Sequence, residues 1–348
     1  MMRRLPLLCL GLALMVTACE THPNKTKEVT TPEVTRLDTV VDRVAQLSDS
    51  IAMDETREDL YLERAKVYLG KEQVGAAMMD VNRAIELNPR NVDAFLLLSE
   101  LYYQLGDAGN VTAALDRAME IDPYDSRPVV KQAEINLLMQ NYDLALGHVS
   151  NALKLGNYNP EAYFVRGMIY LAKNDTASAL KSFMISREQD ADFYEPQHEI
   201  NKIYVAQNNP LTEDFLRATV SHFPNNALSR YELALFLQDH GAPEEALAHY
   251  DSLLMIQPEN SRFLFNKGYV YFVYLGDNQK ALDYFSKSLE VDPTYLDALY
   301  NKGHVLEQMG DYAQAKAIYS QVLKQQPNYT LAIDAVNRIA NQAEGIEN

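Results

Sequence analysis

The chain has 348 residues and a formal net charge of −17, from 48 acidic and 31 basic side chains. Its apolar content of 47% supports a folded protein, whereas the acidic balance, with no lysine and arginine cluster to relieve it, argues against nucleic acid, whose phosphates need a basic surface. Two cysteines and no tryptophan exclude a disulfide framework and any site built on indole stacking.

The first residues read as an export signal. Arg3 and Arg4 form a positive head, Leu5 to Val16 an apolar run too short to span a bilayer, and Val16-Thr17-Ala18-Cys19 follows. Those four residues resemble the lipobox of bacterial lipoproteins. The resemblance implies a signal peptide over 1–18, cleavage before Cys19, and a diacylglycerol on its sulfur, usually joined by a third acyl chain on its amine. The plainer alternative is an ordinary secretory signal with a chance cysteine. Cleavage would remove Cys9, leaving one lipidated cysteine and no internal disulfide. Two or more acyl chains anchor stably, each buried CH₂ contributing roughly 0.8 kcal/mol.

Residues 19–35 carry that cysteine and a run rich in Thr and Pro, which reads as a flexible tether. At about 3.3 Å per residue it can reach roughly 50 Å. From Leu37 onward, Val40, Val41, Val44, Leu47 and Ile51 share one helical face and no helix precedes them, so residues 36–54 are expected to form an N-terminal capping helix.

Residues 58–328 repeat one plan, written most clearly from Asp297 to Pro327. Leu299, Gly303 and Leu306 mark a first helix, Gly310-Asp311 a tight turn, Ala315, Tyr319, Val322 and Leu323 a second helix, and Pro327 a stop. The small residue of the first helix recurs as Ala65, Ser99, Ala133, Gly167, Asn201, Ala234, Gly268 and Gly303, at intervals of 33 to 35 residues. This pattern resembles the tetratricopeptide repeat. The resemblance implies an all-α, right-handed superhelical α-solenoid of about eight helix-turn-helix units.

Three units depart from the plan. The third has Asn157 where the closing proline belongs. The fifth replaces the small residue by Asn201 and the turn by Asn208-Asn209-Pro210, and is one residue short, which puts its packing in question. The seventh carries one extra residue before Gly276. Residues 329–348 are expected to form a C-terminal capping helix and a frayed tail.

No catalytic constellation is visible, and the chain is not expected to be an enzyme. The histidines stand singly, without HExxH or similar metal spacing, and there is no phosphate loop, GxSxG motif or free thiol nucleophile. Neither cofactor nor metal is implied. The family resemblance implies instead a concave groove lined by the first helices. Residues three before, two before, one after and four after the small residue should face it. In the sixth to eighth units those positions include Tyr231, Phe265, Asn266, Tyr269, Phe272, Tyr300, Asn301 and His304, an aromatic and amide-rich set suited to holding a partner segment. The competing reading is that some of these rings pack between helices as scaffold. The family's carboxylate clamp is not reproduced: Asn266 and Asn301 occupy one of its positions, but its lysines are absent.

Asp38-Thr39-Val40, Asp49-Ser50-Ile51, Asp175-Thr176-Ala177 and Asp251-Ser252-Leu253 resemble glycosylation sites of exported Bacteroidota proteins, a loose pattern that points to such a source. Together these readings give a lipoprotein on the periplasmic face of the outer membrane, rather than on the cell surface. It is expected to act as an adaptor that holds an envelope protein or peptide segment in its groove, with the membrane as its other partner. The alternative is a glycan- or peptide-capturing envelope lipoprotein; the lack of tryptophan and the regular repeats speak against a glycan.

Overall fold

A computed structural model describes residues 35–343, with side chains from Arg43 to Asn341. The leader, Cys19, the tether and the tail beyond Ala343 lie outside the described residues, as do the side chains of Val40 and Val41. Every regular element among the described residues is helical.

Helix α1 (Thr35–Met53) precedes the first hairpin. The hairpins of the first unit pair α2 (Glu58–Gly70) with α3 (Val74–Leu87), α4 (Val92–Gln104) with α5 (Ala108–Ile121), α6 (Arg127–Leu138) with α7 (Tyr142–Leu155), and α8 (Pro160–Ala172) with α9 (Thr176–Gln189). The chain then divides between Pro196 and Gln197, within α10 (Tyr194–Ala206), the first helix of the irregular fifth repeat. The second unit continues with α11 (Thr212–His222) and pairs α12 (Ala227–Asp239) with α13 (Pro243–Ile256). Helix α14 (Ser261–Tyr269) runs into a π turn (Val270–Tyr274) before α15 (Asn278–Val291). Then come α16 (Leu296–Gln308), α17 (Tyr312–Gln325) and the last helix, α18 (Thr330–Ala343).

The turns follow from local chemistry. Gly310 sits at φ 81°, the left-handed conformation that ends a helix, and Asp311 accepts a hydrogen bond from the Gln314 amide at 3.1 Å to start the next. Elsewhere Glu72, Gln140, Asn174 and Asn208 take the same left-handed region at some cost, because a Cβ disfavours it.

The two helices of a hairpin fit by volume. Where the second helix carries Val81 or Val149, the first carries Ala65 or Ala133; where it carries Phe183, Phe285 or Tyr319, the first carries Gly167, Gly268 or Gly303. A Cβ built on Gly268 would stand 2.7 Å from the Phe285 ring, and one on Gly303 2.8 Å from Tyr319. Ala234 is the exception, sharing its core with Tyr250.

Asn201 follows the same logic with polar atoms. It is 1% exposed, its amide donates to Thr219 Oγ1 at 3.0 Å, and its carbonyl accepts from Gln197 at 2.9 Å. A buried amide without partners would be costly, so Asn201 and Thr219 together replace the apolar pair. The missing proline after the third hairpin is also compensated. Tyr158 donates to the Gln189 carbonyl at 2.9 Å, the Asn159 amide to the Gln189 side chain at 2.8 Å, and Asn159 caps α8.

The glycine fit generates a paired test. Gly268→Ala should lower the denaturation midpoint, costing about 1–3 kcal/mol as an overpacked core substitution. Gly147→Ala, on the exposed side of α7 with nothing within 4 Å of its Cβ, should stabilise by up to about 1 kcal/mol through helix propensity. Urea unfolding followed by circular dichroism reads both.

Candidate binding surface on α12, α14 and α16

All eight residues singled out in the sequence lie in the second unit, on α12, α14 with its π turn, and α16. The ring three before the small residue bridges two hairpins. Tyr231 lies 6.3 Å from Tyr250 of its own hairpin and 5.4 Å from Phe263 of the next. Phe265 lies 5.6 Å from Phe285 and 5.1 Å from Tyr295, and Tyr300 5.7 Å from Tyr319 and 5.6 Å from Tyr329. In the first unit Phe164 makes the same contacts, with Phe183 at 5.7 Å and Phe193 at 5.3 Å. These rings therefore carry structural duty as well as a half-buried outer edge, and burial pushes the Tyr295 hydroxyl up to about 12.

Asn266 is buried, and its amide donates to the Tyr231 hydroxyl at 3.0 Å, tying α14 to α12. Asn301 is half-buried and donates to the Asp297 carbonyl of its own helix at 2.8 Å. Tyr269 is half-buried, 6.1 Å from both Phe265 and Tyr274. Phe272 meets His304 edge-on at 5.0 Å, and burial holds the imidazole below its ordinary pKa, favouring the neutral ring.

The position four after the small residue has a role that the groove expectation did not include. Gln238 accepts from the buried Tyr250 hydroxyl, and Glu307 from that of Tyr319, each at 2.8 Å. In the seventh repeat the second-helix ring is Phe285, without a hydroxyl, and the matching side chain is the apolar Phe272. Burial opposes ionisation of Glu307, but Arg338 of α18, at 2.7 and 2.9 Å, and the Tyr319 hydroxyl outweigh it and hold the carboxyl below its ordinary value.

The extra residue of the seventh repeat is taken up by the π turn, where the Leu275 amide reaches back to the Val270 carbonyl at 3.2 Å. On the turn, Tyr274 donates to Asp239 of α12 at 2.6 Å, which pushes its own hydroxyl up to about 12. Phe272 on the same turn meets α16. Sequence reasoning located the insertion but not this double contact, because a one-residue excess does not say whether a helix or a loop absorbs it. The bridging rings Phe263, Tyr295 and Tyr329 were also missed; an aromatic near the start of each following helix was the available signal.

Among the described residues no cluster of three or more His, Cys, Asp or Glu could hold a metal, and no helix is long and apolar enough to cross a membrane.

Models described as tetratricopeptide repeat match residues 62–126 and 231–295, 160–184, and 273–339, together more than half of the chain. The chain belongs to the tetratricopeptide-repeat family. It is similar to a TPR repeat-containing protein of Methanocaldococcus jannaschii, 25% identical over 56% of this chain and 30% of that protein. It is also similar to Hsp70-Hsp90 organizing protein 2 of Arabidopsis thaliana, 26% identical over 70% of this chain and 43% of that protein. The chain thus spans less than half the length of either. The C-terminal part of a tetratricopeptide protein from Cytophaga hutchinsonii shares the fold, with a TM-score of 0.58 at 15% identity over 68% of this chain and 98% of that one. Tetratricopeptide proteins act as protein-interaction scaffolds, typically without enzymatic activity.

The Glu307 pair makes a pH prediction. A carboxyl whose folded pKa lies below its ordinary 4.5 adds stability above that pH and loses it as pH falls through the folded value. The clasp between α16 and α18 should therefore weaken below pH 4.5, and Glu307→Gln should remove that part of the pH dependence. Melting curves of both proteins between pH 3 and 7 check it.

Proposed function

We infer that this tetratricopeptide protein is a membrane-anchored adaptor of the bacterial cell envelope. It is tethered through lipid on Cys19 and captures a protein segment on the α12, α14 and α16 surface. The observation that carries the reading is the concentration there of half-buried aromatic side chains beside a half-buried amide, from Tyr269 to His304, on first helices that pack side by side. Tyrosine and phenylalanine supply large contact area at low entropy cost, and asparagine can bond a peptide backbone. The Val16-Thr17-Ala18-Cys19 motif supports the lipid anchor, and the outer membrane, on its periplasmic face, is the placement proposed for it. The family supports the scaffold role.

Two substitutions test the halves separately. Cys19→Ala should leave a folded protein that moves from the membrane fraction to the soluble one; recovery of the variant still in the membrane counts against lipid anchoring. Tyr269→Ala should reduce partner crosslinking in intact cells by about tenfold, as loss of one good contact predicts. Its melting temperature should fall by no more than a few degrees. Equal loss of crosslinking and of stability assigns the ring to the scaffold.

A further inference from the structure

This inference rests on the reading of Tyr269 as a docking ring and concerns how access to that ring is controlled. We propose that the extra residue of the seventh repeat builds a lid: Tyr274 lies over Tyr269, latched to Asp239 of α12, and breaking the latch uncovers Tyr269 for a partner.

The lid follows from the register of the backbone. In the flanking repeats the turn amide reaches back five residues, Ala242 to the Leu237 carbonyl at 3.0 Å and Asp311 to that of Leu306 at 2.9 Å. In the seventh repeat it reaches back six, Asp277 to Tyr271 at 2.8 Å, so one residue more is housed between the same two anchors. The π turn houses it. Residues five apart in an α-helix point about 140° from one another, whereas a turn closed by i→i+5 bonds sets them on one side. Tyr274 therefore falls over Tyr269, five residues before it, with the rings edge to face at 6.1 Å and 69°. In an unbroken α-helix the two rings would face different sides.

The two ends of the turn are held unequally. Val270 is fully buried, and Tyr271 stacks on Tyr284 of α15, 5.5 Å away with planes 9° apart, so the start is fixed to its own hairpin. At the far end Val273 is 47% and Tyr274 38% exposed, and Gly276 follows at φ 66°, a conformation glycine takes without strain. The tip is fastened by the hydrogen bond from the Tyr274 hydroxyl to Asp239 at 2.6 Å. Asp239 is itself exposed, so water can replace either partner and the bond opens at small net cost. A fixed base, a permissive glycine and a fastening open to water let the tip lift while the core stays closed.

Lifting changes the docking surface at Tyr269. That ring keeps Phe265 as a neighbour, also 6.1 Å away, and gains the face that Tyr274 covered. A docking segment must displace Tyr274 or meet it already raised, so the latch sets the fraction of the protein competent to bind.

The test reads the lid on the purified full chain, from tyrosine ring signals in NMR with a neutral gadolinium chelate as the probe of access. Tyr274→Phe keeps the covering ring and removes the latch, and Asp239→Ala removes the latch from the other side. Each should raise the broadening of the Tyr269 signal roughly threefold as the open fraction grows, and Tyr274→Ala should raise it further. The buried Tyr319 should stay unbroadened in every variant, which shows an intact core. Unchanged access to Tyr269 in Tyr274→Phe and Asp239→Ala overturns the lid.

Crosslinking in intact cells separates the lid from the docking surface. Tyr274→Phe should raise Tyr269-dependent crosslinking by about the same factor as access. Crosslinking that falls instead makes Tyr274 part of the docking surface and overturns the lid. Access that rises with no crosslinking through Tyr269 keeps the lid and removes the docking reading, whereas unchanged access with crosslinking still lost in Tyr269→Ala does the reverse.

Discussion

The structure depends on one steric fit, that of the small residue of each first helix against a side chain of its partner helix. With glycine, the second helix brings a whole aromatic ring against the first helix backbone; with alanine or serine it brings Val81, Leu115 or Val149, except that Ala234 shares its core with Tyr250. The close packing of protein interiors leaves no slack for a mismatch at this point. Each hairpin buries its own small core in this way and passes the next set of contacts to its neighbour.

That fit has consequences for the aromatic surface. Once Tyr250 or Tyr319 is seated, its hydroxyl is buried and must be answered, by Gln238 in one hairpin and Glu307 in the other. The ring three before the small residue then covers the seated side chain and reaches the following hairpin. Aromatic content in the sixth to eighth repeats is therefore partly a requirement of stacking. Under the proposed docking function, the side chains left for a partner are fewer than the sequence pattern, namely Tyr269, Phe272, Asn301 and His304, together with the outer edges of the bridging rings.

The two irregular repeats show polar and backbone versions of the same compensation. Asn201 is accepted because Thr219 and Gln197 satisfy it in place, and the seventh repeat absorbs its extra residue without leaving the helix. The π turn sends Tyr274 one way, to α12, and Phe272 the other, to α16. An insertion in the first helix thereby becomes a tie across three helices and an exposed feature at Val273 and Tyr274.

By itself the sequence determined the helix-turn-helix plan, the number and period of the units and the positions of the small residues, since these follow from apolar spacing, Gly-Asp turns and proline stops within one hairpin. It also located the aromatic concentration in the last three repeats. Which of those rings are scaffold was decided by tertiary structure alone, because Tyr231, Phe265 and Tyr300 meet partners about thirty residues away in the next hairpin. The pairing of Asn201 with Thr219, the clasp of Arg338 on Glu307 and the reach of Tyr274 to Asp239 join helices in the same way. Local propensity carries no information about which helix faces a side chain once the hairpins stack.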